Sequence, residues 1–200
     1  MRALVAGGGG REHAIVKALR RSARVEEVFC APGNAGIAAD AECLPEVAAD
    51  DAATIVTAAQ DHGIDLAVIG PEAGLVAGAV DALEAAGVPA FGPSKAAAEL
   101  EGSKAFAKEL MAEAGVPTAG HVLLRSREEA DEQLLRAGFP TVLKADGLAA
   151  GKGVIICSTE AEAREALDVF FTERRFGDDV VVVLEEFLEG EELSLLALCD

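Results

Sequence analysis

The chain has 200 residues, with 17 Lys or Arg against 35 Asp or Glu, a formal charge of −18, and 51% apolar residues among which neither Trp nor Tyr occurs. That length buries one large core or two modest ones built from Leu, Val, Ile, Ala and Phe, and the scattered basic residues exclude a nucleic-acid surface, which needs clustered Lys and Arg. No apolar stretch approaches a membrane span and no secretory layout precedes the first strand, so a cytoplasmic protein without membrane partners is expected.

In chain order, short apolar runs alternate with Ala/Leu/Glu-rich helical stretches. Strands are predicted at Ala3–Ala6, Glu27–Ala31, Leu66–Ile69 and Pro89–Phe91, with helices around residues 12–22, 51–62 and 75–86. Such alternation specifies a parallel sheet with crossover helices, and Gly63 and Gly87 supply the left-handed residue at which the second and third helices stop. A doubly wound α/β domain over 1–102 follows. A helix over Ser103–Ala114, with Phe106, Leu110 and Ala114 on one apolar stripe and Gly115 and Pro117 as its stop, opens a second domain over 103–200.

There the pattern changes to a small α+β module. Strands are predicted at His121–Leu124, Thr141–Ala145, Val154–Cys157 and Val180–Leu184, and capping boxes at Ser126–Glu129 and Thr159–Glu162 open two helices. An acidic turn at Glu189–Glu192 then leads to an apolar stretch, Leu193–Cys199, paired back through that turn. Cys30, Cys43, Cys157 and Cys199 form no C-x-x-C pair and read as reduced thiols, and His13, His62 and His121 have no metal-ligand spacing.

The chemistry lies in the loops. Lys144-Ala-Asp-Gly-Leu-Ala-Ala-Gly-Lys-Gly-Val154 brackets Gly147, Gly151 and Gly153 with Lys144 and Lys152. Three residues separate Gly147 from Gly151, and a strand follows the loop, so this is not a Walker A loop but a hairpin flap for nucleotide phosphates. Gly7-Gly-Gly-Gly-Arg-Glu-His13 opens the first helix and resembles a dinucleotide fingerprint in part, but Glu12 stands where its third glycine belongs. Gly33-Asn34, Gly70-Pro71-Glu72 and Gly92-Pro93-Ser94 end successive strands at one sheet edge, where open α/β domains bind ligands. The run Glu185–Glu192 is richer in carboxylates than a plain turn requires, although a solvated acidic hairpin is the ordinary reading of such a run.

Taken together, G-G-G-G-R-E-H, A-P-G-N-A-G, G-P-E, F-G-P, L-E-G-S-K-A-F, the 144–154 loop and E-E-F-L-E-G-E-E-L-S resemble the phosphoribosylamine-glycine ligase family of the ATP-grasp superfamily, in order and along the whole chain. The resemblance implies a doubly wound substrate domain followed by an ATP-grasp lid, and ATP-dependent ligation of glycine to 5-phosphoribosylamine through glycyl phosphate. It implies nucleotide contacts at Lys104, Lys144, Gly147, Gly151, Lys152, Gly153, Glu185, Glu186, Leu188 and Glu192. Phosphoribosylamine contacts are implied at Gly8, Gly9, Gly10, Arg11, Asn34, Pro71 and Glu72. Gly74, where the family commonly has proline, is expected to loosen a turn. The family continues for about as long again, and its Mg2+ (or Mn2+) ligands and catalytic residues are expected in that further part, so a truncated form with little turnover is expected. A non-catalytic nucleotide-binding fragment and another ATP-grasp carboxylate-amine ligase are the alternatives; a nicotinamide oxidoreductase lacks the acidic ribose residue after its fingerprint.

Overall fold

The computed structural model describes residues 1–149 and 152–197. It divides the chain into two compact units, Met1–Ser103 and Lys104–Asp200.

The first unit is built on an all-parallel sheet of five strands in the order β3-β2-β1-β4-β5. They are β1 (Arg2–Gly7), β2 (Glu27–Pro32), β3 (Glu42–Cys43), β4 (Leu66–Ile69) and β5 (Ala90–Phe91). Alternate residues of the strands enter opposite cores, as the two-residue period requires. Leu4, Ala6, Phe29 and Ile69 pack with Ile55 of α2 (Ala52–Asp61) and with Val80 and Leu83 of α4 (Ala79–Ala85). On the other face Val5, Val28, Cys30 and Val68 pack with Val16 of α1 (Gly10–Arg20). Burial on both faces is why these strands read as unbroken apolar runs. Chain order reverses beside β1, so the loops after β1, β2 and β4 end at the edge where the two halves of the sheet diverge.

The expected helix over 75–86 is two helices, α3 (Glu72–Val76) and α4, parted by Gly78 at φ +89°. Gly74 does not loosen a turn: it is buried within α3, and a Cβ there would run into the Ala49 carbonyl and meet the Ile69 methyl at 3.1 Å. Close backbone approach, not flexibility, accounts for this glycine. Besides a single 3-10 turn at Ile37–Ala39, a short strand and a helix were not anticipated. β3 has only two residues, too few to show alternation, and α5 (Lys95–Gly102) starts at Ser94, whose Oγ accepts from the Ala97 N–H at 3.3 Å.

The second unit has an antiparallel sheet of four strands in the order β6-β9-β7-β8. These are β6 (His121–Leu124), β7 (Thr141–Ala145), β8 (Val154–Cys157) and β9 (Val182–Glu186). One face, carrying Leu124, Leu143, Ala145, Cys157, Val182 and Leu184, packs on Leu134 of α7 (Arg127–Leu134), Leu167 of α8 (Glu160–Leu167) and Phe170 in the π-turn that continues α8. The expected capping boxes form only in their first half, the cap side chain accepting from the third helical N–H. Ser126 Oγ accepts from Glu129 N and Thr159 Oγ1 from Glu162 N, while the Glu carboxylates reach back one residue before the cap, to Arg125 N and Ser158 N at 2.8 Å each. β7 and β8 pair as the expected hairpin, with Lys144 opposite Val154.

Two expectations fail here. β9 pairs with β6 and β7, and residues 187–197 contain no strand; Leu193, Leu195 and Leu196 are more than nine-tenths exposed, and Leu198 and Cys199 lie outside the described residues. The helix α6 (Lys104–Ala114) is turned the other way: Phe106 and Leu110 are 38% and 39% exposed and Ala114 is exposed, whereas Lys108 is 6% exposed. Hydrogen bonding outweighs side-chain polarity in setting this face, because a lysine that finds acceptors for its donors can be buried.

Candidate functional site

At the carboxyl edge of the parallel sheet the glycines follow from one side chain. Glu12, 4% exposed, sends its carboxylate back under the loop to accept from Gly9 N at 2.7 Å. A Cβ on Gly7 or Gly70 would sit 2.5 or 2.6 Å from Glu12 Cγ, and one on Gly9 would sit 2.7 Å from Glu12 Oε2. The residue that breaks the dinucleotide fingerprint therefore fills the space its third glycine would leave open. Gly8 is held by its neighbour loop instead: a Cβ there would stand 2.7 Å from the Gly33 carbonyl.

Asn34 ties that loop down, its Nδ2 donating to Gly8 O at 2.6 Å and its Oδ1 accepting from Gly36 N at 2.7 Å and Ile37 N at 2.9 Å. Arg11 donates to Glu12 Oε1 and to Glu72 Oε1, both at 3.0 Å. These bonds, Glu72 first, hold the guanidinium above its ordinary value, and the Arg11 bond holds the Glu72 carboxyl below the usual range. Pro71 is the residue before α3, from which Glu72 reaches Arg11. The structure thus gathers Gly8, Gly9, Gly10, Arg11, Asn34, Pro71 and Glu72 at one edge. His13, beside them, meets Asp40 Oδ2 through Nε2 at 2.8 Å, and that hydrogen bond lowers the Asp40 carboxyl.

In the second unit, Lys104 and Lys108 stand one turn apart on α6 and so share a helix face. Lys104 Nζ donates to Gly147 O at 2.8 Å, and Asp146 Oδ1 accepts from Lys104 N at 2.6 Å and Ala105 N at 3.2 Å, fixing the start of α6 on the glycine hairpin. Lys144 Nζ donates to Glu185 Oε2 at 2.7 Å, and Lys108 Nζ lies 3.3 Å from Glu185 Oε1. Glu185, 5% exposed, thus joins two ammonium groups on the sheet face opposite the helices α7 and α8.

Gly147 has φ +85° with open space around its Cα, whereas at Gly153 a Cβ would crowd Ala149 Cβ at 2.6 Å. Lys152 is exposed, and Gly151 lies outside the described residues. Glu186 turns away from the lysines, accepting from Gly120 N at 2.9 Å, and borders with Glu185, Phe139, Thr141 and Phe187 a cleft of about 400 Å3. Leu188 and Glu192 are exposed beyond it. Sequence reading missed Lys108, whose signal was its i+4 spacing from Lys104. The cradle does not fit a divalent cation: both oxygens of Glu185 already face ammonium groups, and the donors around it are lysines.

Two family models match. Residues 1–101 match the phosphoribosylglycinamide synthetase N domain and residues 102–200 match the ATP-grasp (A) domain of the same enzyme. The chain belongs to the phosphoribosylglycinamide synthetase family. Within that family, the chain is 48% identical over 201 residues to phosphoribosylamine--glycine ligase of Brucella melitensis, covering all of this chain and 47% of the relative. The enzyme of the same name from Caldanaerobacter subterraneus is 46% identical, with 48% of it covered. The chain therefore spans about half the length of the curated relatives it matches.

Among solved structures, the Thermotoga maritima phosphoribosylamine--glycine ligase superposes with a TM-score of 0.73 at 31% identity, over 96% of this chain and 45% of that one. The biotin carboxylase domain of Hydrogenobacter thermophilus 2-oxoglutarate carboxylase, determined with MgADP, ADP and bicarbonate, superposes at 0.74 with 25% identity, over 94% of this chain and 44% of that one. The part of the chain from residue 102 onward thus corresponds to the ATP-grasp domain of that family.

Proposed function

We propose that the chain supplies the phosphoribosylamine-binding domain and the nucleotide lid of a phosphoribosylamine-glycine ligase acting in the cytoplasm. In this reaction a carboxylate oxygen of glycine attacks the terminal phosphorus of ATP, giving glycyl phosphate and ADP. The amine of 5-phosphoribosylamine then attacks the acyl carbon, the amide forms, and phosphate and a proton leave.

The observation that carries the reading is the cradle of Lys104, Lys144 and the Gly147 hairpin on a sheet face in a family of ATP-grasp enzymes. Ammonium groups held in a partly desolvated cleft offset triphosphate charge without reorganising. Lys144, Lys104, Gly147, Gly151, Lys152 and Gly153 would meet the phosphates, and Glu185, Glu186, Leu188 and Glu192 would border the nucleoside. At the other unit's edge, the amides of Gly8–Gly10 at the start of α1 and the Arg11 guanidinium suit the phosphoribosyl end. Mg2+ or Mn2+, when bound, would neutralise phosphate charge; the residues of this cradle would not ligate it.

Titration calorimetry with ATP tests the lid. The chain binds ATP, and Lys144→Ala weakens binding by about tenfold, the worth of one charge-assisted contact. Absence of ATP binding, or unchanged affinity in Lys144→Ala, overturns the reading. Ribose 5-phosphate tests the first unit in the same way: Gly8→Ala, which pushes against the Gly33 carbonyl, should weaken its binding.

A further inference from the structure

Lys108 is a buried lysine whose side chain is 8% exposed. Its ammonium donates to Thr118 Oγ1 at 2.7 Å and to Ala119 O at 3.2 Å, and forms an ion pair with Glu185 Oε1 at 3.3 Å. Lys144 differs. Its side chain is 27% exposed, and Glu185 Oε2 is its acceptor among the described residues, so two of its three donors remain for an incoming anion.

Glu185 sits between them, one oxygen toward each. A buried carboxylate facing Lys144 alone would close a neutral pair, and a neutral pair does not attract phosphate. With Lys108 on the other oxygen, two ammonium groups stand against one carboxylate, and the group of three keeps one net positive charge. The charge left over lies on the open side, because Lys108 is enclosed and Lys144 is not.

We propose that Lys108 is a positioning residue that offsets the charge of Glu185, so that Lys144 keeps an uncompensated positive charge for a polyphosphate. The inference rests on the reading of Lys144 as a phosphate contact. Glu185 on this view does not primarily serve the nucleoside: it aims Lys144, and Lys108 keeps that aim from extinguishing the charge.

Net charge makes the proposal testable apart from packing. Inorganic tripolyphosphate and ATP are titrated into the 200-residue chain and into Lys108→Met, Glu185→Gln and the double variant, with circular dichroism checking the fold of each. Lys108→Met removes the net charge and should weaken tripolyphosphate about tenfold, the effect of one unit charge near a polyanion in a partly screened site. Glu185→Gln raises the net charge and should tighten it. The double variant restores the wild-type charge and should recover most of the affinity lost in Lys108→Met, which a packing role does not predict.

A double variant as weak as Lys108→Met, or Lys108→Met with wild-type affinity, overturns the proposal. If Lys108→Met does not fold, Glu185→Gln decides: unchanged or weaker tripolyphosphate binding overturns it. A wild-type chain that binds tripolyphosphate but not ATP, with the expected order among variants, supports the charge offset and refutes the nucleotide reading. Binding of neither refutes both.

Discussion

Glu12→Ala probes the loop after β1. The substitution removes the carboxylate that accepts from Gly9 N at 2.7 Å and half of the contact with Arg11, whose side chain is 58% exposed. A hydrogen bond to a buried charged acceptor is worth about 2 kcal/mol, the exposed pair about 0.5 kcal/mol, and the void left by the chain about 1 kcal/mol. Relief from burying a carboxylate offsets part of this, leaving a loss of about 2 kcal/mol. Gly70→Ala costs a similar amount, about 2 kcal/mol, by overpacking, since its Cβ would lie 2.6 Å from both Glu12 Cγ and Oε1. The two costs share one space, so the double variant should be less destabilised than their sum by about 1–2 kcal/mol. Urea unfolding followed by far-UV circular dichroism measures this, the chain having no Trp or Tyr for fluorescence. Additive losses, or a double variant worse than the sum, would refute the claim that Glu12 dictates the glycines.

Three further outcomes follow from the same edge and from the cysteines. Gly33 has φ +73°, and a Cβ there would collide with Cys43 Sγ, so Gly33→Ala should cost about 2–3 kcal/mol; adding Cys43→Ala should return the steric share but not the backbone share of about 1 kcal/mol. The Glu72 carboxyl is held below its ordinary 4.5 by Arg11, so its contribution to stability is fully present above that value and is lost as pH falls through the lower folded one. Comparing wild type with Glu72→Gln across the acid range should show a stability gap at neutral pH that closes in acid; a gap that widens in acid reverses the sign argued here. Burial pushes the Cys30 thiol up to about 12 and also raises Cys157, so iodoacetamide at mildly alkaline pH should modify the half-exposed Cys43 and spare both until the protein is unfolded. Modification of native Cys30 at the rate of Cys43 would contradict this.

Most of the architecture was legible because its strands are buried on one or both faces and three of its helices stop at glycines, Gly63, Gly87 and Gly115. The hairpin flap could be told from a P-loop by the β-branched run Val154–Ile156 after the glycines. What escaped is instructive in physical terms. α6 shows an apolar stripe of Phe106, Leu110 and Ala114, yet the helix turns Lys108 inward because Thr118, Ala119 and Glu185, ten or more positions away, supply acceptors that no local pattern displays. Leu193, Leu195 and Leu196 read as a strand from composition alone, but a strand needs a partner, and β6 already occupies that side of β9. At the first site, the sequence marked the glycines and assigned them to an anion. Gly7, Gly9 and Gly70 are also constrained by Glu12, a side chain whose direction spacing cannot reveal.

The position of β8 bears on how the protein behaves in solution. Among the described residues it is an outermost strand, and its Val154 and Ile156 are 46% and 56% exposed, so it offers an apolar edge to a neighbouring molecule. The charge of −18 keeps molecules apart only over the range that salt permits, about 10 Å at 0.1 M ionic strength. Dispersal and stickiness are thus set by different parts of the same chain, and raising the salt to screen the one uncovers the other.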